Sequence, residues 1–139
     1  MSDLRREAGS LEASGAFVRA AGLELDEVSG TRVTGHIDLS DQHHTPWGIV
    51  HGGVYATAIE SAASIGASAA VRERGMVAVG LTNTTHFLRS VTSGHARVEA
   101  EALNQGRSQQ LWRVGVRDER DRLLAHGEVR LQNLDPGAG

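Results

Sequence analysis

Three consecutive residues, His51-Gly52-Gly53, stand directly before a stretch that the sequence predicts to be one helix, from Gly52 to Val71. The first amides of a helix have no partner within it, and the helix dipole there favours negative charge. We expect the two glycines to let the chain turn sharply and to leave these amides open to a ligand oxygen. The start of the helix is therefore a candidate site for an oxyanion.

Glu60 is the only residue of the predicted helix that is charged at neutral pH. A carboxylate on an otherwise apolar or hydroxylic helix is expected to be partly desolvated, which suits a base or a nucleophile. The polar residues recur every three or four positions and so form one narrow stripe: Thr57, Glu60, Ser61, Ser64 and Ser68. The many alanines elsewhere on the helix predict that neighbouring backbone lies close against it.

The spacing between Gly52 and Glu60 has a structural consequence. Eight residues of helix rise by about 12 Å, and the lean of the glutamate side chain toward the N-terminus recovers only part of this distance. One chain is therefore not expected to bring both groups to the same small carbonyl. If both act on one substrate, they belong to different subunits of a symmetric dimer.

The motif resembles a known family, and the similarity extends over residues 15 to 134. His51-Gly52-Gly53, followed by Tyr55 and Glu60, resembles the signature of the hotdog-fold thioesterases. The closest resemblance is to the phenylacetic-acid-pathway type and to the 4-hydroxybenzoyl-CoA thioesterase with a glutamate on its central helix. Further features share the order and spacing of that family: Gly75 to Val79, Asn83, Phe87-Leu88-Arg89, Gly94-His95, Gly106-Arg107-Ser108 and Trp112.

The resemblance implies hydrolysis of an acyl-CoA thioester, with the carbonyl oxygen at the Gly52 amide and Glu60 of the partner subunit as nucleophile or general base. Two further residues stand beside it: the His51 ring is expected to fix the loop and not to act as a general base, and Ser64, one turn after Glu60, either orients water or the carboxylate or bonds back to a helix carbonyl. Thr45 stands where the family commonly has Asn or Gln, so the side-chain half of the oxyanion site departs from the pattern. Candidate substrate-binding residues are Gly53, Asn83, Arg89, Arg107 and Ser108, with the arginines facing the coenzyme A phosphates.

Composition restricts the function classes. The 139 residues carry a net charge of −3, so no basic excess indicates nucleic acid binding, and 40% hydrophobic content fits one domain. The chain has no cysteine, and the first ten residues lack an apolar signal, so we expect a cytoplasmic protein. Three nearby histidines, His43, His44 and His51, lack a carboxylate at helical spacing, and we expect neither metal nor cofactor. Glu60 and the hydroxyl residues argue against a membrane-spanning helix.

The hydrophobic pattern predicts an α+β fold, in which an antiparallel sheet wraps around one long helix, in agreement with the hotdog fold. We expect a flexible N-terminus over residues 1–10, a hotdog domain over 11–134 that begins with a short helix over 11–21, and a flexible tail over 135–139. Strands are predicted over 23–26, 33–39, 76–88, 96–102, 112–117 and 123–131. Polar residues within 83–86 are expected to line a pocket.

Two other functions remain open at this stage. The first is hydration or dehydration of an acyl-CoA, which needs a His and Asp pair, although the predicted helix contains no aspartate. The second is a non-catalytic acyl-CoA-binding module. The acyl group is either aryl or medium-chain, and the family resemblance implies a homodimer or a homotetramer with active sites at the subunit interface.

Overall fold

The computed structural model of the chain describes residues 15–137 and confirms the α+β prediction. Six strands form one antiparallel sheet in the order β1-β2-β4-β5-β6-β3, and a 20-residue helix packs against it. This is the hotdog architecture. The elements are α1 (Gly15–Ala21), β1 (Glu24–Val28), β2 (Arg32–Leu39), α2 (Gly52–Val71), β3 (Val77–Phe87), β4 (Gly94–Gln105), β5 (Gln109–Arg117) and β6 (Leu123–Leu134).

The chain termini test the predicted boundaries only in part. Helix α1 occupies the second half of the helix expected over 11–21, and the remaining positions of that helix lie outside the described residues. The same holds for the segment 1–10 and for the last two residues of the chain. The division of the chain into a domain and two flexible ends therefore stays a prediction.

Helix α2 begins and ends where the sequence predicted, and its small residues allow close packing. A Cβ atom at Gly66 would collide with the ring of Trp112 and would lie 2.9 Å from Val33 Cγ2. At Gly30, in the β1–β2 turn, a Cβ atom would lie 2.9 Å from Ala70 Cα. The Trp112 ring therefore packs against the helix backbone at Gly66, and the backbone of the β1–β2 turn packs against it at Ala70. Both contacts are possible because the helix has no large side chain at these positions.

The predicted alternation is present in three of the strands that pack against the helix. Strands β2 and β5, and β4 as far as Ala100, bury every second residue, and the opposite residues are exposed or half-buried. The buried set consists largely of β-branched residues, which pack well on a pleated surface, and of alanine. Besides Gly35 and Gln110 it contains Val33, Ile37, Leu39, Ala96, Val98, Ala100, Trp112, Val114 and Val116.

Strand β3 departs from the prediction that its odd-numbered residues, 77 to 87, share one face. Its pairing with β6 shifts register between Gly80 and Thr82, which marks a β-bulge at Leu81. A bulge moves later side chains to the opposite face. Val79 and Leu81 are accordingly 38% and 49% exposed, whereas Asn83, after the bulge, reaches helix α2.

The hydroxyl of Ser68, the last residue of the predicted polar stripe of α2, is engaged by the fold. The residue is 7% exposed, and its hydroxyl accepts a hydrogen bond from Ala78 N at 3.0 Å, which joins the end of the helix to the start of β3. The Ser68 hydroxyl is therefore not available to a substrate. The helix is apolar enough to resemble a membrane span by composition, but 61% of that window is buried against the sheet.

The packing of Gly66 gives a test of the core. Gly66→Ala is expected to destabilise the protein by about 1–3 kcal/mol, because the added methyl group requires Trp112 or the helix to move. The free energy of unfolding is measured in urea, with Ser61→Ala on the half-exposed side of α2 as the control. A Gly66→Ala protein as stable as the control would contradict this account of helix packing.

Candidate active site

The start of helix α2 is shaped by the His51 ring. His51 is the N-cap residue, and its Nδ1 accepts a hydrogen bond from Gly53 N at 2.8 Å. The His51 carbonyl accepts from Val54 N at 3.1 Å. Within the described residues no hydrogen bond acceptor is recorded for Gly52 N, so this amide is available to a ligand and the Gly53 amide is not. The prediction of open amides thus holds for Gly52 and is corrected for Gly53.

The two glycines are required for space, not for a sharp turn. Neither has a positive φ angle, which corrects the predicted reason for their presence. A Cβ atom on Gly52 would lie 3.0 Å from two ring carbons of Phe87, and one on Gly53 would lie 2.9 Å from His51 Nδ1. The aromatic ring of β3 and the histidine ring both lie against bare helix backbone.

The loop before the motif is held by its own polar groups. His51 N donates to the carbonyl of His43 at 2.7 Å, and the buried His43 ring accepts from Ser40 N at 3.1 Å. The His44 ring contacts the Thr92 carbonyl at 2.7 Å. These three histidines each use a ring nitrogen to fix the loop, and their rings form no group that could hold a metal within the described chain.

Thr45 begins a tight turn in this loop. Its hydroxyl oxygen accepts from Trp47 N at 3.2 Å, and its amide donates to Ile49 O at 2.7 Å. Trp47 itself is 84% exposed at the tip of the turn. The Thr45 hydroxyl keeps a proton that it can donate, so a threonine retains part of the hydrogen-bonding capacity of the amide side chain that the family pattern has here.

A cavity of about 510 Å³ opens at this end of α2. It brings together five of the predicted site residues, namely Thr45, His51, Gly52, Gly53 and Arg89. Apolar side chains form much of the remaining wall. The other lining residues are Ile49, Val50, Tyr55, Phe87, Leu88 and Ser90.

Glu60 lies outside this cavity. Its side chain is exposed, and its Oε1 would lie 3.8 Å from a Cβ atom placed on Gly80 of β3. The predicted partial desolvation is therefore not supplied by its own subunit. Ser64 is half-buried one turn further along α2. The structure thus separates the carboxylate from the Gly52 amide, as the helical spacing predicted.

Asn83 was predicted to bind substrate, but its side chain already has protein partners. Its Nδ2 donates to the Ala56 carbonyl at 3.2 Å, and its Oδ1 accepts from the Thr85 hydroxyl at 2.6 Å. The first bond joins β3 to the first half of α2, and the second lies within β3. The polar stretch 83–86 contributes no residue to the cavity, which corrects the expectation that it lines a pocket.

Arg107 and Ser108 lie at the opposite end of the same subunit. The Arg107 carbonyl accepts from Arg74 Nη2 at 3.1 Å, just beyond the C-terminus of α2. The Ser108 carbonyl accepts from Asn133 N at 2.8 Å. A helix of 20 residues spans about 30 Å, so these two residues cannot contact a ligand in the cavity of their own chain.

Tyr55 also lines the cavity, although from the sequence it was named only as part of the motif and was not predicted to be a site residue. It is 3% exposed, and its hydroxyl is buried without a hydrogen bond partner in the described structure. Burial raises the pKa of this phenol to about 12. Its position three residues after Gly52, on the same side of the helix, is the signal that could have identified it.

A second group of ionisable side chains occupies the outer face of the sheet. His36 contacts Glu24 at 2.8 Å and Asp26 at 3.0 Å, and its ring stacks on His95, which contacts Asp38 at 2.8 Å. The hydrogen bond to Asp26 raises the pKa of His36. Each ring nitrogen of His36 already has a carboxylate partner, so ion pairing explains the cluster without a metal.

Comparison with known proteins agrees with this geometry. The family model described as the thioesterase superfamily matches residues 48–125. This chain belongs to the thioesterase superfamily. A structure of a Mycobacterium tuberculosis protein assigned to the esterases is 42% identical, with a TM-score of 0.82 over 85% of this chain and 95% of that one. The match to 1,4-dihydroxy-2-naphthoyl-CoA hydrolase of Listeria monocytogenes is 33% identical and covers 74% of this chain and 83% of that protein.

A solved thioesterase from Haemophilus influenzae gives a third comparison. It is 27% identical, with a TM-score of 0.81, and the match covers 88% of this chain and 85% of that one. The thioesterase described here is accordingly a thioester hydrolase with the hotdog fold, as the sequence motif predicted. The matched family segment begins beside the His51-Gly52-Gly53 motif and includes Glu60.

The chain has a single tyrosine, so its ionisation can be followed directly. The folded thioesterase is expected to form tyrosinate with a midpoint near pH 12, against about 10 in denaturant. Because the pKa of Tyr55 is higher in the folded state, the stability that depends on its neutral form is fully present below pH 10 and is lost as the pH rises toward 12. Tyrosinate absorbance is read in a stopped-flow pH jump before unfolding, and a folded-state midpoint near 10 would contradict the burial.

Proposed function

We propose that this thioesterase hydrolyses an acyl-CoA at a site completed by two subunits. The observation that carries the proposal is that Gly52 lines the cavity and its N–H has no hydrogen bond acceptor among the described residues. Glu60 lies on the same helix but is exposed outside the cavity. The thioester carbonyl oxygen would accept from Gly52 N, with the helix dipole favouring the charge that develops on it. Glu60 of the partner subunit would supply the base or the nucleophile.

The chemistry requires only these two groups and water. As a base, Glu60 takes a proton from a water molecule whose oxygen attacks the thioester carbon. As a nucleophile, it attacks that carbon itself and forms an anhydride that water then cleaves. In both routes the C–S bond breaks and coenzyme A leaves as the thiol. Its sulfur takes the proton that Glu60 removed from water in the first route, and a proton from water in the second. Ser64, one turn after Glu60, is placed to orient the carboxylate or the water.

The bare edge of the sheet supports the proposed dimer. Strand β3 is an edge strand of 11 residues, and it contains no Asp, Glu, Lys or Arg. Long edges without charge are suited to pairing with another chain. The exposed side chains of Val79 and Leu81, before and at the bulge, add apolar surface to this edge. Pairing of two β3 strands would bury that surface and give one continuous sheet.

Antiparallel pairing at this edge also brings the two halves of the site together. Gly80, beside Glu60, and Phe87, against Gly52, lie on the same strand. A two-fold axis midway between them would place the Gly80 end of one strand opposite the Phe87 end of its partner. Glu60 of one subunit would thereby approach the Gly52 cavity of the other and lose its exposure to water. We further propose that two such dimers form a tetramer. We also propose that the protein is cytoplasmic.

The cavity favours an aryl acyl group. The Phe87 ring, Ile49 and Leu88 give it an apolar wall next to Gly52, and an aromatic ring can stack against Phe87. The Listeria relative is named for an aryl-CoA substrate. Arg89, exposed at the rim, is placed for the phosphates of coenzyme A. These features support an aryl-CoA substrate of the phenylacetic-acid-pathway type, with a medium-chain acyl-CoA as the alternative.

The alternatives are less well supported. An acyl-CoA hydratase of this fold needs a His and Asp pair, but His51 Nδ1 is engaged by Gly53 N and no aspartate lines the cavity. A module that only binds acyl-CoA has no use for an acid on the polar stripe of α2. Hydrolysis uses both the open amide and the carboxylate.

Replacement of Glu60 tests this function. Glu60→Ala is expected to lower kcat for release of coenzyme A from benzoyl-CoA by about 10²–10⁴-fold, the usual contribution of a positioned base. Glu60→Asp, shorter by one methylene, should retain a trace of activity. Thiol release is followed with a chromogenic disulfide, with Ser61→Ala as the neighbouring control.

Three results would contradict the proposal. Full hydrolysis by the Glu60→Ala protein would exclude Glu60 from catalysis. Loss of conjugation from an enoyl-CoA without thiol release would identify a hydratase. Saturable binding of aryl- and medium-chain acyl-CoA without turnover of either would identify a binding module.

A further inference from the structure

The His43 ring is a buried titratable group to which the proposed mechanism gives no role. The residue is 3% exposed, and within the described chain no arginine or carboxylate is hydrogen bonded to its ring. Backbone covers the ring on one side, since a Cβ atom on Gly22 would lie 3.1 Å from His43 Nε2. A ring enclosed in this way keeps the hydrogen bonds that the fold gives it.

One ring nitrogen of His43 accepts a hydrogen bond from the backbone. Ser40 N donates to His43 Nδ1 at 3.1 Å, just after the end of β2 and at the start of a short 3-10 turn over Asp41–His43. A ring nitrogen that accepts a hydrogen bond carries no proton, so the ring is neutral and its proton is on Nε2. Nε2 lies 3.4 Å from the side-chain amide of Gln42. The bond to Ser40 N therefore exists only in the uncharged form of the ring.

This hydrogen bond has the form of half a capping box. In a capping box, the side chain three residues after the N-cap bonds back to the N-cap amide, and that side chain is usually a glutamine or a glutamate. Neither of these residues changes its charge near neutral pH. Histidine does so between about pH 5 and 8. With His43 in this position, the turn depends on the pH.

The His43 backbone connects this turn to the start of α2. Its carbonyl accepts a hydrogen bond from His51 N at 2.7 Å. His51 in turn caps α2 and takes up the Gly53 amide at Nδ1, which leaves Gly52 N to the cavity. Loss of the bond at Ser40 would release the turn to which His51 is hydrogen bonded. The Gly52 amide would then move away from the thioester carbonyl.

The neighbouring His44 makes the opposite kind of hydrogen bond. Its Nε2 lies 2.7 Å from the Thr92 carbonyl, and because a carbonyl only accepts, the His44 ring donates. A charged ring donates as well as a neutral one, so a proton leaves this contact intact. Two adjacent histidines of one loop thus differ in their response to acid, and His44 provides a matched control.

Charged or titratable side chains occur on the elements around the His43 ring. They are Arg19 of α1, His36 and Asp38 of β2, Asp41, His44 and His51 of the loop, and Arg89 after β3. Within the described chain none of them forms a hydrogen bond or an ion pair with the His43 ring. The two from β2 have their recorded partners on the outer face of the sheet. No recorded contact therefore stabilises the charged form of the ring.

We propose that His43 is a positioning residue that holds the Gly52 amide in its catalytic place only while its ring is uncharged. The inference rests on the proposed function, because it assumes that Gly52 N binds the thioester carbonyl. As the pH falls, Nδ1 gains a proton, and two N–H groups, those of Ser40 and the His43 ring, then face each other. The turn separates from the end of β2, and the thioesterase loses activity in acid.

The pH profiles of His43 variants test this role. The wild-type kcat for benzoyl-CoA is expected to fall about tenfold from pH 7.5 to pH 5.0, because histidines gain their charge in this range. His43→Gln keeps an acceptor at the capping position, so its kcat should fall by less than about twofold. His43→Ala, without an acceptor, should have a low kcat at both pH values, and His44→Gln should follow the wild-type profile. Reactions are quenched and the thiol is then measured at one pH for all samples.

Two kinetic results would overturn the proposal. The first is a His43→Gln protein that loses as much activity in acid as the wild type, which would assign the loss to another group such as Glu60 or His51. The second is a wild-type profile that stays flat to pH 5.0.

A structural measurement keeps the proposal separate from the catalytic one. In ¹⁵N-histidine spectra at pH 7.5, the His43 ring should carry its proton on Nε2, its resonance being identified by its absence from His43→Gln. The His51 amide, which donates to the His43 carbonyl, should lose protection from hydrogen exchange as that resonance titrates. Protection that persists beside a charged ring, a ring still neutral at pH 5.0, or a proton on Nδ1 at pH 7.5 would overturn the role of His43. If no ester is hydrolysed, the proposed function fails while this measurement still decides whether the loop responds to the proton.

Discussion

The hydrogen bond from Gly53 N to His51 Nδ1 determines how the rest of the site is arranged. It satisfies one of the free amides at the start of α2 and leaves Gly52 N as the group that can polarise a carbonyl. The same ring position requires a glycine at 53, and the Phe87 ring requires one at 52. The two glycines of the motif therefore allow the His51 and Phe87 rings to pack directly against the helix backbone. The result for chemistry is one free amide at the positive end of the helix dipole.

This arrangement creates a constraint that one chain cannot satisfy. The amide and the single acid of α2 are separated by about 12 Å along a rigid helix, and Glu60 lies on the exposed side next to β3. Helix geometry prevents the separation from closing by side-chain rotation. In the proposed dimer, a second subunit at the uncharged β3 edge would supply the carboxylate, exclude water from it and cover the exposed Val79 and Leu81.

The sequence predicted most of the fold because its patterns were long and consistent. The limits of α2 and the alternation in β2 and β4 follow from helical and strand periodicity alone. The bulge at Leu81 was missed, since a bulge inserts one residue without changing the local composition. The hydrogen bond of Ser68 could not be predicted, because its partner, Ala78, depends on how the next strand packs.

The features of the candidate site could be predicted only where they follow from the spacing of residues along the helix. The separation of Gly52 from Glu60 and the structural use of His51 could be inferred from position. The engaged side chain of Asn83 and the unpaired Tyr55 hydroxyl depend on contacts between distant segments, which no local pattern encodes. Arg107 was assigned from the family resemblance, and the structure places it at the far end of α2 from the cavity.

The central claim is that one active site uses Gly52 of one subunit and Glu60 of its partner, and subunit mixing tests it most directly. Gly52→Val and Glu60→Ala proteins, each inactive alone, are unfolded together, refolded and assayed for thiol release. Random pairing gives half heterodimers with one intact site each, so we predict about a quarter of wild-type activity. Heterodimers that form, as shown by differently tagged subunits, but hydrolyse nothing would contradict the shared site.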